Sequence, residues 1–268
     1  GGPTAGRLVA AWGADVLRGE PPPRKGAQSS SVTGARRGSD EQNLHRNKRS
    51  LAINLKSDQG QKLFQRMAAE ADVVVENFRS DVKYRLGVDY ETLRQINPGL
   101  VYASISGFGQ EGPYSSRPGV DQIIQGMSGL MSVTGEPGTG PMRVGVAISD
   151  TSAGMFLGQG ILLALLHRER TGQGQWVHTS LLESMLCKLD FQAARFTMDG
   201  EVPAQQGNDH PTQVPMGTFA AADGHINIAA FGSQMWRRFC EALNAQSLMD
   251  HPDYQTVGDR VRLRDQVK

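Results

Sequence analysis

The chain has 268 residues, 38% of them hydrophobic and 21% charged, with a formal net charge of +1 at pH 7. That length suits one large domain or two modest ones, and the near-balanced charge offers no handle for nucleic acid. The longest apolar run, residues 155–166, is interrupted by Gly158, Gln159 and Gly160 and is too short to span a bilayer, so no membrane partner is expected.

The chain opens on Gly1-Gly2-Pro3 without a Met and stops at Lys268 in a charged, helix-like stretch, the ends expected of a fragment. A helix is expected just after Pro3, closed near Gly13 and followed by a short strand. Residues 21–45, rich in Pro, Ser, Gly and Arg, have the composition of an irregular loop. Its basic pair Arg36-Arg37 has no interleaved aromatics and reads as a solvated loop rather than a nucleic-acid patch. Leu51, Ile53 and Leu55 alternate as in a half-buried strand, and Ser57 or Asp58 caps a helix carrying Leu63, Met67 and Ala71.

The β-branched run ending at Glu76 predicts a buried parallel strand, and Asn77-Phe78-Arg79 falls at its C-terminal end, where open α/β sheets place ligand loops. Two helices split at Gly87 follow, then a strand over residues 100–105 leading into a glycine-bearing loop, residues 106–114. An extended run over residues 144–149 ends at Asp150, whose small neighbours Ser149, Ser152, Ala153 and Gly154 open a long apolar helix. Small neighbours let a substrate approach the backbone, although helix capping is the commoner role of an Asp in such a place. A strand over residues 175–178, a helix over 180–198, a Gly- and Pro-bearing connection, a strand pair turning at Asp223-Gly224 and a helix from Ser233 complete the chain.

This alternation predicts an α/β fold with a Rossmann-like doubly wound parallel sheet in a large domain, residues 1–205. Residues 206–268 are expected to form a linker and the start of a smaller α/β domain. Cys187 and Cys240 read as reduced core residues, which suits a cytoplasmic location, or an organellar matrix in a eukaryote. The scattered histidines have no partners at ligand spacing, and no metal site is expected. Nucleotide and hydrolase glycine fingerprints are absent.

Several segments together go further. Asn47-Lys48-Arg49-Ser50, residues 71–79, Leu86-Gly87-Val88-Asp89-Tyr90, Asn97-Pro98, residues 104–114, Ser128-Gly129-Leu130-Met131, Thr134-Gly135, Asp150 with its helix, residues 168–174 and Ala222-Asp223-Gly224 share one order and spacing. The chain thereby resembles the family III CoA-transferases, the CaiB/BaiF group, nearly throughout except residues 21–45. The resemblance implies transfer of coenzyme A from an acyl-CoA to a small carboxylic acid, with Asp150 as nucleophile, an aspartyl anhydride and an aspartyl-CoA thioester. No permanently bound cofactor is implied. It assigns Ile53, Asn54, Leu55 and Lys56 to the adenine-nucleotide end of CoA, with Asn77, Phe78 and Arg79 beside it. Arg85 is assigned to a phosphate, and Arg117, Pro118, Gly119 and Val120 to the pantetheine arm. It also implies an interlocked homodimer.

The chain departs from the family pattern at Pro21, where a CoA-contacting basic residue is usual, and at Val120, where an aromatic is usual. Relative to that pattern, a first strand before Gly1 and a C-terminal return segment after Lys268 are expected to be missing. Three alternatives accompany the assignment: a non-catalytic CoA-binding remnant, an α-methylacyl-CoA racemase, and a nicotinamide-dependent Rossmann enzyme, against which the missing glycine fingerprint counts. The racemase needs a second base, typically a His before Asp121, and Val120 cannot take a proton. Formyl-CoA:oxalate enzymes of the family carry a dense glycine run that residues 215–219 lack, so a larger dicarboxylate with succinyl-CoA as donor is expected.

Overall fold

The computed structural model describes residues 1–22 and 38–268. Arg36-Arg37 and most of the expected irregular loop lie outside the described residues. The chain divides into two compact units, residues 1–130 with 143–200, and residues 131–142 with 201–268.

In the first unit, helix α1 (Gly2–Ala11) has Pro3 in its first turn and leads to β1 (Val16–Glu20). Residues 39–45, expected in the loop, instead form α2 (Ser39–His45), whose buried Glu41 is held by Arg18 at 2.5 Å. Strand β2 (Lys48–Ala52) runs parallel to β1 and ends before Ile53, earlier than the apolar alternation suggests. Helix α3 (Asp58–Glu70) is capped by Ser57, whose hydroxyl accepts from Gly60 N, and β3 (Val73–Glu76) follows. Helices α4 (Val82–Arg85) and α5 (Tyr90–Ile96) flank Gly87, which takes a positive φ of 61° that a side chain rarely adopts. Strand β4 (Val101–Ser106) lies between β3 and β5 (Trp176–Ser180) in a parallel three-stranded sheet. The parallel strands of this unit therefore form two ladders, β1-β2 and β3-β4-β5.

Residues 101–105 are buried throughout, as the central strand of a sheet covered on both faces must be. Successive side chains alternate faces. Tyr102 joins Ala68, Leu93 and Leu100 in one cluster, while Ala103 and Ile105 join Ala153, Leu157, Ile161 and Met185 in the other. Helix α6 (Asp121–Met127) follows the glycine loop, and α7 (Leu130–Val133) leads out of the first unit.

The long helix α8 (Ile148–Thr171) has 24 residues and is long and apolar enough to cross a membrane by length and composition. Gly158, Gln159 and Gly160 interrupt its apolar run without breaking the helix, which runs on through them as expected. Helical glycine costs about 1 kcal/mol, and a Cβ would meet only ordinary contact at either glycine, 4.0 Å from Leu8 at Gly158 and 3.8 Å from Val177 at Gly160. The expected single helix over 180–198 is two, α9 (Leu181–Leu189) and α10 (Phe191–Asp199), because Asp190 takes a positive φ of 46°. Cys187 is exposed rather than buried, since α9 buries Leu181, Ser184 and Met185 on its other face.

The second unit contains the antiparallel pair β6 (Met216–Ala221) and β7 (Gly224–Ala229). Helices α11 (Ser233–Ala242), α12 (Gln246–Met249), α13 (Val257–Arg262) and α14 (Arg264–Val267) follow. Its core gathers Val214, Trp236, Cys240, Tyr254 and Val267. Residues 131–142 join this unit through Gln205, whose side-chain amide donates to Thr134 O at 2.6 Å and Gly140 O at 2.7 Å.

Candidate active site

The C-terminal ends of β3 and β4 and the first turn of α8 converge on one open cleft of about 160 Å³ in the first unit. Asn77, Phe78 and Arg79 line it from the end of β3, and Arg117, Pro118 and Gly119 from the glycine-bearing loop. Asp150 lies in the same cleft with Gly1, Ile105, Ser106, Gly107, Ser115 and Leu181. Two glycines set the close approach of the loop backbones. A Cβ on Gly107 would sit 2.5 Å from Gly119 Cα, and the reverse holds, so neither position accepts a side chain without moving the loop.

No strand precedes Asp150: residues 144–147 are held by a side chain rather than by a ladder. Gln125 Oε1 accepts from Val144 N at 2.9 Å, and Gln125 Nε2 donates to Val146 O at 3.2 Å. Asp150 is the third residue of α8, in its first turn, where the helix dipole favours an anion. It does not cap its own helix; the residue before α8 is Ala147, without a side-chain cap. The Asp150 carboxylate is 37% exposed and its Oδ1 accepts from the Gly1 nitrogen at 2.5 Å. That approach depends on Gly154, where a Cβ would lie 2.6 Å from Thr4 Cβ and 2.9 Å from Gly1 O.

The cap missing at Ala147 comes from a distance. Asp121 Oδ1, at the start of α6, accepts from Ser149 N at 2.9 Å and from Ser149 Oγ at 2.7 Å. Its Oδ2 accepts from Gln125 Nε2 at 2.8 Å and lies 3.5 Å from Arg143. Asp121 and Ser149 are both buried. From the sequence, Ser149 is only a small neighbour of Asp150 and Asp121 only the residue after Val120; the contact between them is signalled at most by the Asp–Gln pair four residues apart.

Six of the twelve assigned CoA contacts line the cleft with Asp150, and six do not. Ile53 is buried at the exit of β2, while Asn54, Leu55 and Lys56 form the turn that follows, with Asn54 Oδ1 accepting from Lys56 N at 3.2 Å. Arg85 is exposed and pairs with Asp81 at 3.4 Å. Val120 is exposed at the N-terminus of α6. Arg117 stacks its guanidinium 4.0 Å from the centre of the Tyr114 ring. Among the described residues no group of three or more His, Cys, Asp or Glu could hold a metal ion.

The site can present one carboxylate, two guanidinium groups and glycine backbone to a bound ester or acid. Comparison with known proteins agrees with that chemistry. The sequence model of CoA-transferase family III matches residues 1–268. The chain is 38% identical over 277 residues to a succinate–glutarate CoA-transferase of Agrobacterium fabrum, covering all of this chain and 69% of that protein. It is equally similar to a succinyl-CoA:mesaconate CoA-transferase of Haloarcula marismortui, with the same coverage. A crystal structure of a CaiB/BaiF family protein from Brucella suis superposes with a TM-score of 0.82 at 36% identity, covering 98% of this chain and 71% of that one.

Proposed function

The chain belongs to CoA-transferase family III, and from that premise we propose that it moves coenzyme A from succinyl-CoA to a small dicarboxylic acid, with Asp150 as the nucleophile. The observation that carries this reading is the shared cleft: Asp150 faces the same space as Asn77, Phe78, Arg79, Arg117, Pro118 and Gly119. A carboxylate Oδ of Asp150 attacks the thioester carbonyl carbon; the C–S bond breaks and CoA leaves as thiolate, giving a mixed anhydride. The thiolate then attacks Cγ of Asp150 and releases succinate, leaving an aspartyl-CoA thioester. The acceptor carboxylate displaces the thiolate from Cγ, and the thiolate attacks the acceptor's acyl carbon, restoring Asp150. No net proton is taken or released. Each intermediate is an acyl derivative close in energy to the substrates, which makes one hard exchange several easier ones.

Arg79 and Arg117 bring fixed positive charge to the cleft, which suits a second carboxylate or a phosphate. The names of the relatives, succinate–glutarate and succinyl-CoA:mesaconate transferases, support a dicarboxylate pair. Ile53, Asn54, Leu55, Lys56 and Arg85 are assigned to the adenine-nucleotide end, with the turn after β2 and the exposed Arg85 guanidinium in support. Val120 is assigned to the pantetheine arm beside Gly119. A homodimer is part of the reading: Leu162, Leu163 and Leu166 on α8 and Phe196 and Met198 on α10 are exposed apolar side chains suited to cover by a second copy. The free thiols of Cys187 and Cys240 suit a reducing cytoplasmic or organellar-matrix compartment.

The test is intact-protein mass spectrometry after incubation with succinyl-CoA and hydroxylamine. Hydroxylamine traps an aspartyl anhydride or thioester as the hydroxamate. A mass gain in the native protein that Asp150→Ala abolishes is the expected result. A folded native protein that gives no adduct rejects the covalent route and favours the binding remnant.

A further inference from the structure

We infer that Lys83 is a positioning residue that brackets the two loops of the cleft, one at the end of β3 and one at the end of β4. The inference rests on the reading of that cleft as the CoA site. Lys83 is 1% exposed, and its Nζ lies 3.1 Å from Oε1 of Glu76, itself 4% exposed. Glu76 is the last residue of β3, and its Oε2 accepts from Phe78 N at 2.7 Å. The same ammonium donates to Oε1 of Gln110, in the loop after β4. The Trp176 indole of β5 closes the remaining side, with its ring centre 4.7 Å from Nζ. One cation thus links Phe78, through Glu76, to Gln110. Phe78 lines the cleft directly, and Gln110 lies between Ser106-Gly107 and Ser115, which line it from the other loop.

Neither member of this pair is used in the chemistry at Asp150. Taking an ammonium and a carboxylate out of water is costly, and a packed apolar side chain fills such a position at no such cost. What the ion pair adds is direction. Charge-assisted hydrogen bonds are short and oriented, and these fix the Phe78 amide and the Gln110 side chain relative to each other. A weaker tie lies beside them: Ser80 Oγ donates to Ser115 O at 3.1 Å, again joining the two loops. Asp150 is held separately, on α8, through Asp121 and Ser149. Loss of the Lys83 cation is therefore expected to loosen the walls of the cleft while leaving the nucleophile in place.

The experiment follows succinyl-CoA-to-glutarate transfer and amide hydrogen exchange in the native protein, Lys83→Met, Gln110→Ala and the double variant. Lys83→Met is expected to raise KM for succinyl-CoA about tenfold, with kcat within about threefold of native. Gln110→Ala, which leaves the Glu76–Lys83 pair intact, raises KM by a smaller factor and adds nothing on top of Lys83→Met, because the two act through one contact. In Lys83→Met the amides of residues 77–79 and 107–115 exchange faster, while those of β7 do not change. A folded Lys83→Met with native KM, a Gln110→Ala effect that multiplies independently, or faster exchange spread over the whole chain overturns the inference. Should Lys83→Met fail to fold, Gln110→Ala decides alone: native KM and native exchange overturn it. A native protein that neither transfers nor binds CoA by calorimetry counts against the proposed function instead, since the exchange pattern tests the bracket without substrate.

Discussion

Asp121 caps the helix that carries the nucleophile: its Oδ1 accepts the Ser149 amide at 2.9 Å and the Ser149 hydroxyl at 2.7 Å. The amide belongs to the residue immediately before Asp150, in a helix whose own preceding residue, Ala147, offers no side-chain cap. A buried carboxylate so placed satisfies an orphan N–H and fixes the first turn.

Asp121→Ala is expected to destabilise the protein by about 1–3 kcal/mol, the range for losing a cap and a charged hydrogen-bond partner. Transfer activity falls with it, because the turn bearing Asp150 frays. Asp121→Asn keeps an acceptor for Ser149 and retains most of the stability. Urea unfolding and the hydroxamate yield of both variants check this; equal losses in Asn and Ala would mean that charge, not capping, is what Asp121 supplies.

Gly154 is where α1 meets α8. A methyl group there lands 2.6 Å from Thr4 Cβ, 2.8 Å from Thr4 Cγ2 and 2.9 Å from Gly1 O, so one helix must shift. Gly154→Ala is expected to cost about 1–3 kcal/mol, as overpacking of a tight contact does, and to lower the rate of Asp150 acylation. Adding Thr4→Ala removes Cγ2 but leaves the Cβ clash, so it restores little. Thermal unfolding of the single and double variants measures both effects.

Much of this arrangement is legible in sequence, and the misses share a physical origin. The β-branched run of β3, the uninterrupted burial of β4 and the turn at Gly87 are local signals, written in residue type and period. The cluster at Asp150 is legible through the order of many weak segments taken together. The Asp121 cap is not, because it acts across 28 residues of sequence. The supposed strand before Asp150 has strand-like alternation at Val144, Val146 and Ile148, but its polar groups go to the Gln125 side chain. The break at Asp190 carries no Gly or Pro to announce its positive φ, and the Lys83 bracket depends on tertiary contacts alone.

Lys48 gives a pH signature. Its Nζ donates to Pro3 O at 2.8 Å and lies 3.3 Å from His45 Nδ1, and burial, with Arg18 and Arg7 nearby, lowers its pKa from 10.5 to about 8; Glu41 acts in the other direction. A lysine whose pKa is lower in the folded state binds fewer protons there than in the unfolded chain. Stability therefore rises with pH between about 8 and 10.5, and the penalty for the charged form is fully present below about 8. Lys48→Met removes this contribution. Chemical unfolding at several pH values should show the native-minus-variant stability difference rising across that window; a flat difference rejects the depressed pKa.

Arg260 organises the core of the second unit. It is fully buried, and its guanidinium donates to Val214 O at 3.0 Å, Tyr254 O at 2.7 Å and Phe231 O at 2.7 Å, with the Trp236 ring centre 4.9 Å away. Three carbonyls from separate segments are thus satisfied by one planar donor fork. Arg260→Met leaves those carbonyls buried without their donor, at about 1–3 kcal/mol each before relaxation, so a loss of about 3 kcal/mol or more is expected. Arg260→Lys is not a rescue, because a single ammonium at the end of a flexible stem cannot reproduce the spread of the fork. Hydrogen exchange in β6, β7 and α11 reads the effect on this unit, while exchange in β4 serves as the control from the first. Lys restoring native protection would show that positive charge alone, rather than the geometry of the guanidinium, holds these segments together.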